Sequence, residues 1–259
     1  MATPFAGHGL KARVIRDLVA AGRPITVLDY GAGTGVGWSG ALGEGSPITL
    51  YAYEPHEPYL PQLRSNLQGR ATVWDRAGFE ATGLQADVIL SFSVVQQLMD
   101  KETYFREAKK RLAPDGRFIV VYDDGFWRLS SLFEPSQKPS VALRQLAINA
   151  LAPVFRRLRR WERYRERVTE AGFEALARRH GFRVSADLYG NLESFKGLWK
   201  RIAPEHQDAF MALWIETEER LNAMRTGFEF AGHRSNLWAQ CLSRACILDH
   251  APADQTPSR

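Results

Sequence analysis

The stretch Thr26-Val27-Leu28-Asp29-Tyr30-Gly31-Ala32-Gly33-Thr34-Gly35 constrains this chain more than any other. A short β-branched and apolar run reads as a buried strand, closed by an acid and dropping directly into a glycine turn. Glycine at Gly31, Gly33 and Gly35 lets the backbone turn sharply and lie bare against a ligand. A dinucleotide fingerprint G-x-G-x-x-G is formally present at Gly35, Gly37 and Gly40, but it starts several residues past the strand. In the frame that begins at Gly31 the sixth position is Val36. A pyrophosphate site needs its glycines at the strand-to-helix turn itself, so the frame argues against nicotinamide or flavin. A glycine turn with no ligand is the other alternative, and the features downstream argue against it.

Strands and helices alternate after this point. Residues 9–21 form an amphipathic pattern that stops at Gly22. Strand patterns follow at residues 25–29, 48–53 (ending in Glu54-Pro55), 71–74 (closed by Asp75), 87–92 and 117–122. Helical patterns begin near Leu60 and cover 94–98 and 104–112, with residues 112–116 as a turn. Such alternation predicts a parallel α/β sheet with right-handed crossovers.

Acid-x-Gly-x-Gly-x-Gly at a strand end resembles the first motif of the class I S-adenosylmethionine-dependent methyltransferases. Glu54 matches the acid that ends the family's second strand, and residues 87–92 match its fourth-strand motif. Leu-x-Pro-x-Gly-x-Phe, from Leu112 to Phe118, matches the turn into its fifth strand. The resemblance implies an α/β, Rossmann-like, seven-stranded and mostly parallel sheet with a terminal antiparallel hairpin. It also implies S-adenosyl-L-methionine as cofactor and S-adenosyl-L-homocysteine as product. Residues 169–180 (helix), 181–189 (strand six) and 236–245 (strand seven) would complete the sheet. That leaves insertions at 123–168 and 190–234. The second carries Phe195, Leu198, Trp199 and Ile202, then Phe210, Leu213, Trp214 and Leu221, at helical spacing, and predicts a helical pair. Both insertions leave from the carboxyl edge of the sheet, where ligands of open α/β sheets bind. They are expected to form a helical cap, a substrate lid on a single domain spanning 1–248, with a disordered tail at 249–259.

The resemblance assigns roles to particular residues. Asp29 is expected to orient the loop and meet the cofactor's methionine amino group, and Gly31 and Gly33 to lie against the cofactor. Glu54 at the end of its strand can accept two charge-assisted hydrogen bonds from ribose hydroxyls. The alternative is a solvated strand-end acid, which the glycine loop upstream disfavours. Asp75 is expected at the adenine amino group with Arg76 beside it, and a surface acid is the alternative. Ser91, Phe92 and Ser93 would flank the sulfonium. Gln96 and Gln97 stand where many relatives carry histidine, so a histidine base on that turn is not expected. Asp123, Asp124 and His233 are the candidates for a general base at the carboxyl edge, with loop acids and a structural histidine as the alternative. The remaining histidines show no metal-ligand spacing, and no catalytic metal is predicted.

Composition narrows the partners. The net charge of +5 is concentrated in residues 156–167, which hold seven arginines and two glutamates; the rest of the chain is neutral. That stretch reads as a solvated basic helix face, or as a contact for phosphate, an anionic membrane surface or nucleic acid. The basic cluster is local and no accessory RNA-binding domain is visible, which argues against nucleic acid. No apolar run is long enough to span a bilayer, no signal-peptide pattern opens the chain, and only Cys241 and Cys246 occur, so a cytoplasmic location is expected. The expected function is O-methylation of a small-molecule or glycan-type acceptor. The rivals are a nucleic-acid methyltransferase that uses residues 156–167 and a non-catalytic, cofactor-binding regulator.

Overall fold

The computed structural model describes residues 14–122 except 16, 21, 39, 40 and 44; 168–192; 195, 198, 199 and 201–227; and 241–251. Its elements run β1 (Ile25–Tyr30), β2 (Ile48–Tyr53), α1 (Leu60–Leu67), β3 (Ala71–Trp74), α2 (Arg76–Ala81), β4 (Ala86–Phe92), α3 (Lys101–Arg111), β5 (Leu112–Tyr122), α4 (Glu170–Arg179), β6 (Phe182–Leu192), α5 (Gln207–Gly227) and β7 (Cys241–His250). One seven-stranded sheet has the order β3-β2-β1-β4-β5-β7-β6. β1 to β5 are parallel, and β7 runs antiparallel to both β5 and β6. The chain leaves β1 toward β2 and β3 and returns to its other side as β4. That reversal places a crevice beyond the carboxyl ends of β1 and β4.

Period-two alternation in strands covered on both sides explains the sheet. Val27, Leu50, Val88 and Leu90 point to one face, where α1 adds Leu60, Leu63 and Leu67 at helical spacing. Leu28, Ile89, Phe118 and Val120 point to the other face, against Tyr104 and Phe105 of α3 and Phe173 and Leu176 of α4. Helix starts are capped by side chains. Asp75, Asp100 and Thr169 accept hydrogen bonds from the backbone N–H groups of Gly78, Thr103 and Gly172.

Several boundaries differ from the expectation: β6 runs on to Leu192 rather than ending at 189, α3 starts at Lys101 rather than 104, and only a 3-10 turn, Val95–Gln97, is found within 94–98. Two further differences have a cause in the strand pairing. The turn at residues 112–116 is a bulge inside one long strand, because Ala86 pairs with Leu112 and Val88 with Arg117. A Cβ on Gly116 would lie 2.9 Å from the Ala113 carbonyl oxygen, so the bulge requires glycine there. Strand seven, described over Cys241–His250, runs past its expected end at 245, since it must satisfy ladders on both sides, Phe118 to Leu248 and Phe182 to His250; residues 236–240 lie outside the described residues. The expected tail therefore begins with two ladder residues, Asp249 and His250. Residues 252–259 lie outside the described residues.

The inserted helix α5 packs on the sheet edge through polar side chains. Asn222 Oδ1 accepts from the Tyr189 N–H at 2.8 Å, and its Nδ2 donates to the Tyr189 carbonyl at 2.7 Å. The amide thus pairs with β6 as a neighbouring strand would. Glu218 Oε1 accepts from the Leu192 N–H at 3.0 Å and from Trp214 Nε1. Phe195 and Phe210 are 5.5 Å apart, and Phe195 and Trp214 5.9 Å, which joins the preceding helical residues to α5. Leu198 and Leu213, read from the sequence as part of the packed stripe, are about half exposed at 48% and 52%. The reason is that an edge strand leaves backbone groups in need of partners. Directed hydrogen bonds from Glu218 and Asn222, not apolar area alone, set the rotation of the helix. Among the described residues no helix is long and apolar enough to cross a membrane.

Candidate functional site

At the end of β1 the chain turns over the tip of β2: Gly31 N–H and Ala32 N–H both donate to the Tyr53 carbonyl at 2.9 Å. Gly31, Gly33 and Gly35 all have positive φ, at 88°, 59° and 69°. They differ in what surrounds them. A Cβ on Gly31 would lie 2.4 Å from Val94 Cγ2, and one on Gly35 would lie 2.6 Å from Leu63 Cδ1. Around Gly33 nothing among the described residues comes within 4 Å of that position. Gly31 and Gly35 are therefore packing glycines, whereas Gly33 presents its backbone to open space.

Glu54 holds this loop. It is buried at 6% exposure, its Oε2 accepts from the Gly33 N–H and its Oε1 from the His56 N–H, both at 2.7 Å. Burial raises its pKa, against the lowering effect of those two N–H donors. Each carboxylate oxygen has two lone pairs, so after these bonds both can still accept from a ligand's hydroxyls. The register that pairs Tyr53 with Trp74 sets Asp75 beside Glu54 at the ends of adjacent strands. Asp75 Oδ1 caps α2 through the Gly78 N–H at 2.8 Å, and Arg76 is exposed in the first turn.

Asp29 lies deeper. It is fully buried, and its Oδ2 accepts from Trp38 Nε1 at 2.7 Å, which ties the base of the loop to the 3-10 turn Val36–Trp38 that follows it. Ser91 is also fully buried; its hydroxyl donates to the Tyr30 carbonyl at 3.1 Å and joins β4 to β1 beneath the crevice. Phe92 is half-buried among both the Val121–Ala245 pair and the α1 face of the sheet. Past β4, Ser93 takes φ +58° and donates its N–H to the Val121 carbonyl at 2.7 Å. Val94 rests on Gly31, and Gln96 is wholly buried.

The structure thus brings Asp29, Gly31, Gly33, Glu54, Asp75, Arg76, Ser91 and Phe92 to the carboxyl ends of four neighbouring strands. Asp123, Asp124, His233 and residues 156–167 lie outside the described residues. Trp38 and Val94 escaped the sequence reading, and no sequence signal marks either: one is a loop tryptophan, the other one valine in an apolar run. Also unread was the fully buried Arg244, whose partners Glu174 and Asp187 are 70 and 57 residues away. A charged residue at an inward position of strand seven was the available signal.

An open backbone cradle at Gly33 beside a buried, doubly anchored carboxylate suits a ligand that carries a vicinal diol. The two glycine environments make a test. Gly31→Ala should cost roughly 2–4 kcal/mol of stability from strain and overlap, and Val94→Ala in the same chain should restore part of it. Gly33→Ala should cost only about 1 kcal/mol from its positive φ yet remove ligand binding. Melting curves and calorimetry of the three variants decide it; equal destabilisation by the two alanines would contradict the distinction.

Comparison with known proteins adds to this geometry. Residues 7–187 match a family model described as a methyltransferase domain. Among solved structures, a cyclopropane synthase of Mycobacterium tuberculosis superposes with a TM-score of 0.54 at 17% identity, over 92% of this chain and 82% of its own. The 1,6-didemethyltoxoflavin N1-methyltransferase of Burkholderia thailandensis gives 0.52 at 14% identity, over 95% and 79%. A mitomycin 7-O-methyltransferase gives 0.53 at 17%, over 93% and 53%. At these identities the likeness is one of fold. No curated protein sequence matches the chain.

Proposed function

The chain belongs to the methyltransferase-domain family and uses S-adenosyl-L-methionine, and from that premise we propose that it methylates a small molecule at oxygen. The observation that carries the cofactor part of the reading is the pairing of open Gly33 with Glu54, whose carboxylate is fixed by Gly33 and His56; the acceptor part follows from the candidate bases beside β5 and β7 in the chain. Glu54 accepts the cofactor's ribose hydroxyls, Asp75 lies toward its adenine and the Gly33 backbone lies against it. Asp29 and Ser91 act from below. Asp29 fixes the loop through Trp38, and Ser91 fixes the end of β4 to β1.

The cofactor supplies a methyl group on a sulfonium, which is a good leaving group, so alignment and exclusion of water carry much of the rate. An oxygen acceptor must lose its proton to a base within hydrogen-bond reach. Asp123 and Asp124 directly follow Tyr122, the last residue of β5, and His233 lies between α5 and β7. We assign the base to one of these three. The insertions expected at 123–168 and 190–234, less Val168 in the core and residues 190–192 in β6, serve as the lid over the acceptor, which is a small molecule or glycan-type hydroxyl compound.

The test supplies labelled S-adenosyl-L-methionine with a panel of small hydroxyl compounds, small amines, RNA and protein. Label in a hydroxyl product is expected; label only in amines, RNA or protein would sink the acceptor class. With the acceptor in hand, Asp123→Asn, Asp124→Asn and His233→Gln are assayed singly at saturating cofactor. One of them should lose about 10²–10⁴ in rate, and three near-normal rates would remove the proposed proton path.

A further inference from the structure

The outer side of α5 carries apolar side chains that its packing on β6 does not use. Its inner side is fixed there, where Glu218 accepts from the Leu192 N–H and Asn222 pairs with both backbone groups of Tyr189. These directed bonds set the rotation of the helix, so the outer side cannot turn inward without stranding buried polar groups. Four large apolar side chains are exposed among the described residues, Tyr59, Leu198, Leu213 and Met224. Three of them belong to the insertion that holds α5, and Leu213 and Met224 lie on the helix itself, at 52% and 47% exposure. One exposed apolar side chain is ordinary, but several gathered on one inserted element mark an interaction surface.

The order of residues along that side names the partner. Leu213, Glu216, Arg220 and Met224 follow one another at steps of three, four and four residues, so they form one stripe of the helix, and all four are exposed. The stripe runs apolar, acid, base, apolar. Read backwards it runs apolar, base, acid, apolar, so it is complementary to itself in the antiparallel sense. The Leu213–Met224 and Glu216–Arg220 pairs are centred within half a residue of one another, less than about 1 Å at the helical rise. Two copies of the helix, related by a two-fold axis through that centre, bring Leu213 of each to Met224 of the other and Glu216 of each to Arg220 of the other. Such reciprocal contacts define an isologous interface. A lipid surface would cover the apolar ends but leave the central acid and base without that match. Glu216 and Arg220 already pair within the helix at 2.6 Å, so the two copies together close a ring of four alternating charges. Exposed pairs add little affinity. Here they set register and orientation, while the apolar ends supply the association.

We propose that the outer side of α5 is a homodimer interface, in which two copies of this chain pair these helices antiparallel about a two-fold axis. The inference is independent of the cofactor and acceptor readings above. It gives α5 two tasks, covering the open edge of β6 within one chain and joining the inserted helices of two chains.

The experiment is sedimentation velocity on the full chain, with reductant present, from about 1 to 300 µM. Wild type should show a reversible monomer–dimer equilibrium with a Kd of about 1–100 µM, as suits an interface smaller than the standard size. Glu216→Arg and Arg220→Glu are then made in separate chains. Each alone sets like charges against each other at two places across the axis and should raise the Kd at least about tenfold. Mixed in equal amounts, the two variants should form a heterodimer about as tight as the wild-type dimer, because every facing pair is again acid with base. Leu213→Ser with Met224→Ser should abolish the dimer within that concentration range while the monomer stays folded, since both positions are exposed. A wild type that remains monomeric throughout, a dimer that neither charge reversal weakens, or a mixture no tighter than the single variants would overturn the proposal.

Discussion

Glu54→Ala should weaken S-adenosylhomocysteine binding by about 1.5–3 kcal/mol, roughly 10- to 150-fold, the range for hydrogen bonds to a charged group. The same substitution takes the acceptor away from the Gly33 and His56 N–H groups. Its effect therefore includes a looser loop as well as two lost contacts to ligand. Calorimetry measures it, and an affinity unchanged from wild type would mean that the end of β2 does not hold the ribose. A pH series separates charge from shape. On the proposed assignment the ribose is held by the carboxylate form, and burial has raised its pKa above the ordinary 4.5. Wild-type affinity should thus start to fall on acidification at a higher pH than an ordinary glutamate would give, while Glu54→Gln should lack that step. The linkage for folding has the opposite sign. In the window between 4.5 and the raised value the folded state keeps a proton that the unfolded state releases, so Glu54 makes the ligand-free protein less stable as pH rises through it.

Arg244→Met should be the most destabilising single substitution in the sheet. Arg244 is fully buried; its Nε and Nη2 donate to Asp187 Oδ2 at 2.9 and 2.7 Å, and Nη2 also donates to Glu174 Oε1 at 2.8 Å. Nη1 donates to the Tyr122 hydroxyl at 3.2 Å. Removing the cation strands the buried Asp187 carboxylate, a cost of about 3–5 kcal/mol. For a chain of this size that lowers the melting temperature by roughly 6–20 °C. The pair is a weak source of net stability, so Arg244→Met with Asp187→Leu should recover most of the loss. A single variant that melts within about 2 °C of wild type would show that the network matters little. Because Tyr122 ends β5, the same network fixes the point from which Asp123 and Asp124 emerge.

The legible part of this protein was local in the chain. Glycine at Gly31, Gly33 and Gly35 follows a strand within a few residues, and Glu54 and Asp75 close the next two strands. Their arrival at one edge follows from parallel pairing, because every strand of a parallel sheet ends on the same side. The fold class and the cofactor were readable for that reason. The legibility faded where partners are distant or where burial overrides pattern. β7 extended past its expected end because two ladders, not its own composition, set its length. α5 turned Leu213 outward because Glu218 and Asn222 answer the open edge of β6.

The sequence by itself determined the alternation of strands and helices and the acids and glycines at their ends, since period and turn chemistry act over a few residues. Only the tertiary structure decided which glycine faces open space among the described residues, that Asp29 accepts from Trp38 beneath the loop, and that Arg244 lies buried against Asp187 and Glu174. Each of those depends on contacts between segments far apart in the chain, and neither propensity nor spacing encodes such contacts.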